Sequence, residues 1–236
     1  MEAVTWQPIS GETQLATSAA HGFGTDAILL AAFAAPARGE TVCDLGTGCG
    51  VVALRLCAGG NPAAVHGVDI SETAVALAKQ SAAAFGDPRL TFAVGDWNAP
   101  AAIAPAGSFD RVTVNPPYFP ANTPASPDPE RDTARRERPD TLPMIGKAAA
   151  WLLKNGGKLS LCHRPERLTD VLTALRGSGL EPKRLRPVQE TPDTPPWLIL
   201  LEAGKGARPG LRWEAPLILR GADGTPTAAW REIYHE

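Results

Sequence analysis

Residues 115–119, NPPYF, stand directly after an apolar run, FDRVTV, that has the pattern of a strand. Asn115 precedes a proline, so its backbone is held in an extended conformation. Pro116 and Pro117 have fixed φ angles and no N–H group, so the carbonyls of Asn115 and Pro116 need not join a helix and can face a cleft. With the side-chain oxygen of Asn115, these acceptors could receive both hydrogens of a planar exocyclic amine. Taken alone, the residues are more simply a strand terminator with a hydrophobic anchor.

A glycine-rich stretch, DLGTGCG, suits the binding of a small anionic group. Asp44 ends a short apolar run, and Gly46 and Gly48 permit a tight turn and a close backbone approach to a ligand. Backbone N–H groups at the start of the following helix suit a carboxylate or a phosphate. A dinucleotide fingerprint requires a glycine where Val51 stands, so the stretch predicts a cofactor site that is not one for NAD. The alternative is a strand-to-helix turn that happens to be glycine-rich.

Two further strand-like runs also end in an acidic residue. Asp69, in GVDIS, follows the glycine stretch by about 20 residues, the usual place for a ribose-binding carboxylate, and Ile70 is assigned to the same site. Asp96, in GDW, could accept from an adenine amino group, and Trp97 could cover the ring. The alternatives are that Asp69 or Ser71 caps the next helix, and that Asp96 and Trp97 are a turn residue and a core residue.

The order of the elements predicts how these residues meet. Strand-like and helix-like segments alternate along the chain, which indicates a parallel sheet covered by helices. The carboxyl ends of parallel strands share one edge, where open α/β sheets bind ligands. A ligand with amino-acid, ribose and adenine parts is S-adenosylmethionine, whereas NAD would need a pyrophosphate loop. The predicted strands are 41–46, 64–70, 90–96, 109–114, 158–164, 180–188 and 196–205, and the predicted helices are 51–59, 71–86, 142–157 and 167–179.

This cofactor gives the NPPYF residues a reaction. Two hydrogen bonds would draw the amine nitrogen toward a pyramidal, nucleophilic geometry, and a methyl sulfonium held in line would complete a displacement dominated by positioning. No strong base is required, because the nitrogen becomes acidic as the methyl group transfers. Tyr118 would stack on the target base, a contact worth roughly 1–3 kcal/mol. Asn115, Pro116 and Tyr118 are therefore the predicted catalytic set.

The distribution of charge is compatible with a polyanionic partner. Residues 1–130 carry a net charge of −7 and residues 131–186 a net charge of +7. A basic segment is the usual footprint of a nucleic-acid surface, although a solvated arginine-rich loop and helix face would give the same pattern. The four Cys form no CxxC pair and no metal-ligand spacing, which predicts a reducing compartment and no metal. The four His pair with no nucleophile and are interpreted as structural or surface residues.

The chain carries no signal of export or membrane insertion. Its N-terminus, MEAVTWQPIS, is acidic and lacks an apolar core. The longest apolar run, AILLAAFAAPA, is about half of what a membrane span requires. These features predict a cytoplasmic protein with no membrane partner.

Taken in order, DLGTGCG, GVDIS, GDW and NPPYF resemble the motifs of class I S-adenosylmethionine-dependent methyltransferases that act on planar amino nitrogens. The stretch AAHGFGTDAILLAAF is similar to the segment before the glycine motif in bacterial tRNA(Val) adenine-N6 methyltransferases, which modify the adenine 3′ of the anticodon. The likeness covers about residues 15–220. It implies a Rossmann-like α/β fold with a seven-stranded, mostly parallel sheet, helices on both faces and a reversed C-terminal hairpin at 180–188 and 196–205.

The resemblance also implies roles for individual residues. Thr25 and Asp26, in FGTD, would line the methionine end of the cofactor or cap the following helix. The implied cofactor contacts are Thr25, Asp26, Asp44, Gly46, Gly48, Asp69, Ile70, Asp96 and Trp97. Arginines behind the NPPYF motif would grip RNA phosphates while the base is flipped out. These arginines are Arg131, Arg135, Arg136 and Arg138.

The predicted organisation is one methyltransferase domain over residues 1–236. Residues 1–40 would cover the cofactor, 41–205 would form the core, 118–140 a mobile loop and 206–236 a C-terminal extension. Residues 118–140 are rich in Pro, Asp and Arg and nearly free of aliphatic side chains, which favours a long loop.

The resemblance leaves rival functions open. Glutamine-N5 protein methyltransferases also carry NPPY, usually after a separate helical domain, and only about 20 residues precede FGTD here. Guanine-N2 rRNA enzymes tend to have Phe after the prolines. A non-catalytic cofactor-binding RNA module is the alternative outside enzymes. QETPDTPPW and the Pro-rich loop depart from the tRNA family, but the motifs as a set predict transfer of a methyl group to the N6 amine of an adenine in tRNA, next to the anticodon.

Overall fold

The computed structural model describes residues 3–10, 13–60, 62–117 and 140–234. Its strands are β1 (Thr5–Ser10), β2 (Thr13–Thr17), β3 (Thr41–Leu45), β4 (Ala64–Asp69), β5 (Leu90–Val94), β6 (Phe109–Val114), β7 (Leu153–His163), β8 (Leu180–Gln189), β9 (Leu198–Lys205), β10 (Arg212–Trp213) and β11 (Leu217–Ile218). Its helices are α1 (Thr25–Ala34), α2 (Val51–Gly59), α3 (Glu72–Phe85), α4 (Pro100–Ile103), α5 (Thr141–Leu152), α6 (Leu168–Gly177) and α7 (Ala228–Tyr234). None of the helices in this described part of the chain is long and apolar enough to span a bilayer.

The central sheet has the predicted topology. Its long strands lie in the order β8-β9-β7-β6-β3-β4-β5. Neighbours pair in parallel except β9, which runs antiparallel to both β7 and β8. The prediction of a mostly parallel seven-stranded sheet with a reversed C-terminal hairpin is therefore confirmed. The sequence did not reveal the short strands β10 and β11, which extend the sheet at β8, or the separate hairpin of β1 and β2.

Alternate residues of each strand pack on opposite faces of the sheet. Val42 and Cys43, neighbours in β3, belong to two different hydrophobic clusters, as do Leu200 and Leu201 in β9. This follows from the two-residue period of a strand. One cluster includes the buried faces of α1, α2 and α3, and the other includes those of α5 and α6. The strands are thus held rigidly from both sides, and their carboxyl ends form a fixed edge.

Local sequence explains where α3 begins and ends. Ser71 caps the helix by accepting a hydrogen bond from the backbone N–H of Ala74, 3.2 Å away. Gly86 follows its last turn and ends it. The cap fixes the chain direction directly after β4, where Asp69 and Ile70 stand.

The helix predicted over 142–157 is shorter than expected. The helix α5 ends at Leu152, and the next residue already pairs with Phe109 of β6. Leu152 and Leu153 are both fully buried, so packing on the sheet ends the helix before the glycines of KNGG, residues 154–157. The four residues between the paired positions Leu153 and Lys158 form an irregularity in β7.

Gly67 of β4 has no room for a side chain. A Cβ at this position would lie 2.4 Å from ring atoms of Phe92 and 2.7 Å from the Thr47 hydroxyl. We expect Gly67→Ala to lower the free energy of unfolding by about 1–3 kcal/mol, because the buried ring would have to shift. Urea unfolding monitored by circular dichroism measures the change. Gly177→Ala, at the end of α6 with no atom within 4 Å of the added Cβ, is the matched control. Equal losses in the two variants would contradict the argument.

Candidate active site

One cavity of about 950 Å³ lies at the carboxyl edge of the sheet. It is lined by the ends of β3, β4, β5 and β6 and by the start of α1. The predicted site residues found in its wall are Asp26, Gly46, Gly48, Asp69, Ile70, Asp96, Trp97, Asn115 and Pro116. Strand ends that are far apart in sequence thus meet around a single space, as parallel topology requires.

The glycine turn after β3 approaches the cavity with bare backbone. Gly46 and Gly48 both have left-handed backbone conformations, with φ of 68° and 56°, which glycine adopts without steric cost. A Cβ on Gly46 would come within 3.0 Å of the Trp97 ring, whereas no atom lies within 4 Å of a Cβ on Gly48. Gly48 therefore leaves open space on the cavity side, where a ligand can approach the main chain closely.

Asp69, at the end of β4, ties two backbone segments together. Its Oδ2 accepts a hydrogen bond from the backbone N–H of Gly48 at 2.8 Å, and its Oδ1 accepts from that of Ser71 at 2.9 Å. Each carboxylate oxygen has a second lone pair, so the group can still accept from a ligand. One side chain thus fixes the glycine turn and offers acceptors to the cavity.

Asp44 stands behind the glycine turn and does not line the cavity. Its carboxylate is buried and accepts from the hydroxyls of Thr47 and Thr113, each at 2.6 Å. Burial raises the pKa of Asp44 to about 6, against the opposing effect of the two hydroxyls. This geometry favours a role in holding the turn onto β6, and the contact of Asp44 with the cofactor stays a prediction.

The raised pKa of Asp44 has a consequence for stability. The folded protein binds this proton more tightly than the unfolded chain, whose Asp pKa is about 4. The resulting stabilisation is complete below pH 4 and is lost as the pH rises through 6. We expect Asp44→Asn to remove that pH dependence. The difference in unfolding free energy between wild type and variant should change by about 2–3 kcal/mol between pH 4 and pH 7. Urea titrations at several pH values test this, and parallel curves for the two proteins would refute it.

Ile70, Asp96 and Trp97 also line the cavity. Ile70 is 65% exposed, which is unusual for an aliphatic side chain and suits contact with an apolar ring face. Asp96 accepts from the backbone N–H of Asn98 at 2.8 Å, which holds its turn. Trp97 packs against the hydrophobic cluster while also facing the cavity. The reading of Trp97 as a core residue and the reading as a cavity wall are therefore compatible.

Asn115 is held at both ends of its side-chain amide. Its Nδ2 donates to Asp26 Oδ2 at 3.2 Å, and its Oδ1 accepts from the thiol of Cys162 at 3.0 Å. Asp26 comes from α1, and Cys162 from β7, the strand beside β6. Pro116 and Pro117 continue along the cavity wall.

Some predicted site residues are placed elsewhere or are not described. Thr25 begins α1 and is not part of the cavity wall. Tyr118 and the four arginines at 131, 135, 136 and 138 lie outside the described residues, as does most of the predicted loop 118–140. Their proposed contacts with the target base and with RNA remain predictions.

Sequence reasoning missed two residues around the cavity. His21 is buried in the wall, and its Nε2 lies 3.4 Å from the Ser71 hydroxyl. Cys162 is fully buried, and its thiol contacts Asn115. His21 stands two residues before FGTD, and this closeness to a predicted site segment could have indicated that it lines the cavity. Nothing in the sequence around Cys162 indicated its partner.

The strand order with β9 reversed, and a cavity beside a glycine turn and an Asn-Pro-Pro strand end, define a class I methyltransferase. A family model described as a methyltransferase domain matches residues 36–169. The chain belongs to this family, and the resemblance drawn from the motifs is confirmed.

Comparisons with individual proteins refine the relationship. The chain is 34% identical over 194 residues to the tRNA1(Val) (adenine(37)-N6)-methyltransferase of Porphyromonas gingivalis, a match that covers 79% of this chain and 75% of that protein. It is 44% identical over 157 residues to the release factor glutamine methyltransferase of Rhodospirillum rubrum, covering 63% of this chain but 47% of that protein.

Solved structures share the fold. A predicted O-methyltransferase from Agrobacterium tumefaciens superimposes with a TM-score of 0.74 at 24% identity, over 89% of this chain and 96% of the other. TrmN from Thermus thermophilus superimposes with a TM-score of 0.57 at 22% identity, over 76% of this chain and 48% of the other. At these identities, the structures support the fold and not the substrate.

Proposed function

We propose that this protein transfers a methyl group from S-adenosylmethionine to the exocyclic N6 amine of an adenine in tRNA, next to the anticodon. The observation that carries the proposal is the match along three quarters of the length of a relative named for this reaction. The cavity supports it, because the acceptors of the Asn-Pro-Pro strand end share one space with the candidate cofactor residues.

The residues of the cavity fit S-adenosylmethionine. The open space at Gly48 admits a carboxylate close to the backbone, Asp69 offers acceptors for ribose hydroxyls, and the exposed Ile70 offers an apolar surface for the adenine. Asp96 and Trp97 would complete the adenine end. The bound cofactor would supply an electrophilic methyl group, and the residues of the chain would hold that group and the target amine in line.

The proposed role of Asn115 and Pro116 is to hold the target amine. The Oδ1 of Asn115 and the Pro116 carbonyl accept its two hydrogens, so the nitrogen lone pair is withdrawn from the ring and aimed at the methyl group. The amine proton becomes acidic as the nitrogen gains positive charge and can leave to solvent. Tyr118 would stack on the base and hold it outside the RNA stack.

Charge separates the cavity from the proposed RNA surface. Among the described residues that line the cavity, the charged ones are acidic and none is Lys or Arg. They are Asp26, Asp69, Glu72, Asp96 and Asp140. Such a wall suits a cationic cofactor and repels phosphate. The phosphate contacts are therefore expected outside the cavity, at Arg131, Arg135, Arg136 and Arg138.

We expect affinity for tRNA to fall steeply with salt. If the four arginines each neutralise one phosphate, the logarithm of the association constant falls with a slope of about 3 against the logarithm of salt concentration. Fluorescence anisotropy with labelled tRNA between 50 and 300 mM salt (roughly the range in which counterion release is resolved) measures the slope. Replacing all four arginines by Gln should bring the slope close to zero. A flat response of the wild type would refute the RNA surface.

The function is tested with radiolabelled S-adenosylmethionine and three unmodified substrates: a tRNA(Val) transcript, rRNA and a release-factor protein. N6-methyladenosine in the tRNA, lost when the adenine beside the anticodon is replaced by uridine, is the expected result. Label in rRNA or in the protein would replace the proposal by one of the rival substrates. No transfer to any of the three would favour a non-catalytic RNA module.

Glutamine methylation is the second candidate, because the NPPY motif and the 44% identity to a release factor glutamine methyltransferase favour it. The chain covers less than half of that relative, so the tRNA reaction is preferred.

A tRNA substrate would place the reaction in the cytoplasm.

A further inference from the structure

The side chain of Asn115 can occupy its site in two ways that differ by a half-turn of the amide. In one orientation the oxygen faces the target amine and accepts its hydrogen. In the other the NH₂ group faces the amine, and two donors meet with no acceptor between them. The proposed reaction therefore requires one orientation, although the two have nearly the same shape.

We propose that Asp26 and Cys162 are positioning residues that lock the Asn115 amide with its oxygen available to the substrate amine. Asp26 and Cys162 contact opposite ends of the amide, at 3.2 and 3.0 Å. This inference rests on the proposed role of Asn115 as an acceptor and adds to it the device that fixes that acceptor.

The two partners are chemically complementary. A carboxylate such as Asp26 only accepts, so it binds the NH₂ end of the amide and disfavours the oxygen end. The Cys162 thiol lies on the other side and donates to the oxygen. A half-turn of the amide would set oxygen against carboxylate, with no hydrogen between them, and would leave the NH₂ group only the weakly accepting sulfur of Cys162. The oxygen keeps a second lone pair for a substrate.

The protonated state of Cys162 is enforced by its surroundings. The side chain is fully buried, and burial together with the charge of Asp26 raises the pKa of the thiol well above its ordinary value. The sulfur therefore remains a donor rather than a thiolate acceptor.

Asp26 in turn depends on a glycine. A Cβ on Gly24 would lie 2.5 Å from Asp26 Oδ1, so any other residue at position 24 would push the carboxylate aside. Asp26 is also in the first turn of α1, where the helix dipole favours a negative charge. The sequence G-T-D thus carries the carboxylate to Asn115 with little freedom of movement.

The first test separates positioning from packing at Cys162. We expect Cys162→Ala to lower kcat about three- to tenfold, the effect of one hydrogen bond, with an unchanged dissociation constant for S-adenosylmethionine. Cys162→Ser, which keeps a donor, should recover most of the rate. Cys57→Ala, which removes a buried thiol in α2, is the matched control. An unchanged kcat in Cys162→Ala, or an equal loss in Cys162→Ser, would overturn the role of Cys162.

The second test exchanges the partners at Asp26. Asp26→Asn should lower kcat about tenfold or more, because the amide of residue 26 no longer distinguishes the two ends of Asn115. The double variant Asp26→Asn with Asn115→Asp restores one amide and one carboxylate in contact. It should recover activity relative to either single variant. A double variant no better than the worse single variant would count against the lock.

A third measurement does not depend on the substrate. The ¹H–¹⁵N signals of the Asn115 side-chain amide, identified by their loss in Asn115→Ala, report its hydrogen bonds directly. Cys162→Ala and Asp26→Asn should each shift these signals, whereas Cys57→Ala should not. Unshifted signals would overturn the lock. Shifted signals in a protein that methylates neither tRNA nor any other substrate tried would reject the proposed function and leave the lock standing.

Discussion

Replacing Asn115 by Ala is expected to lower kcat for methyl transfer about 10²–10³-fold, the range seen when one preorganised polar group is removed from an active site. Two losses combine in this variant. The substrate amine loses an acceptor, and Asp26 and Cys162 lose the group that they hold between them. Single-turnover transfer from radiolabelled S-adenosylmethionine to tRNA measures the rate without interference from product release.

The same variant should bind the cofactor almost as tightly as the wild type. Asp69, which fits the ribose, accepts from the backbone of Gly48 and Ser71 and not from Asn115, whereas Asp26, predicted at the methionine end, keeps its place in the first turn of α1. Isothermal titration with S-adenosylmethionine is therefore the necessary companion measurement. Asn155→Ala, at an exposed asparagine in the irregular part of β7, serves as the control for the substitution itself. An Asn115→Ala protein that retains most of its rate would show that the paired-acceptor mechanism is wrong.

The fold was accessible from the sequence because its signals are local and repeated. Apolar strand runs alternate with helix-like runs, α3 carries both a Ser cap and a glycine stop, and parallel pairing follows from the alternation. The largest displacement of predicted boundaries, at the end of α5 and the start of β7, arises where buried Leu152 and Leu153 stand before the glycines. There, packing of the next strand against β6 outweighs the local stop signal.

The site was accessible only in part, and the reason is geometric. Asp69 and Asn115 could be proposed because each stands at a strand end, and the topology brings strand ends together. Cys162 could not, because contact between neighbouring strands depends on register, and register is not written in either strand alone. Asp44 shows a second limit of motif reasoning. Its place in the glycine motif predicts a ligand contact, which stays a prediction, but nothing in the motif indicated that its carboxylate accepts from the hydroxyls of Thr47 and Thr113.

Replacing Asp69 by Ala is expected to raise the dissociation constant for S-adenosylmethionine about 10²-fold, because hydrogen bonds to a charged group contribute about 1.5–3 kcal/mol each. The variant would lose the acceptors for the ribose. It would also release the backbone N–H groups of Gly48 and Ser71, which Asp69 now holds at 2.8 and 2.9 Å. The glycine turn would then be held to β4 only through the backbone N–H groups of Gly46 and Thr47, which donate to the Val68 carbonyl. Asp69→Asn keeps one oxygen acceptor, so its dissociation constant should lie between those of the wild type and Asp69→Ala.

Isothermal titration again measures the effect, with Asp193→Ala at an exposed loop position as the control. The expected kinetic pattern is the reverse of that for Asn115→Ala. At saturating cofactor, Asp69→Ala should recover a kcat within about tenfold of the wild type, because uniform binding affects KM more than kcat. If Asp69→Ala bound the cofactor normally, the ribose assignment would be wrong. If kcat of Asp69→Ala stayed more than about tenfold below the wild type at saturating cofactor, the carboxylate would be needed for the geometry of transfer. The division of the cavity into a cofactor half and an amine half would then not hold.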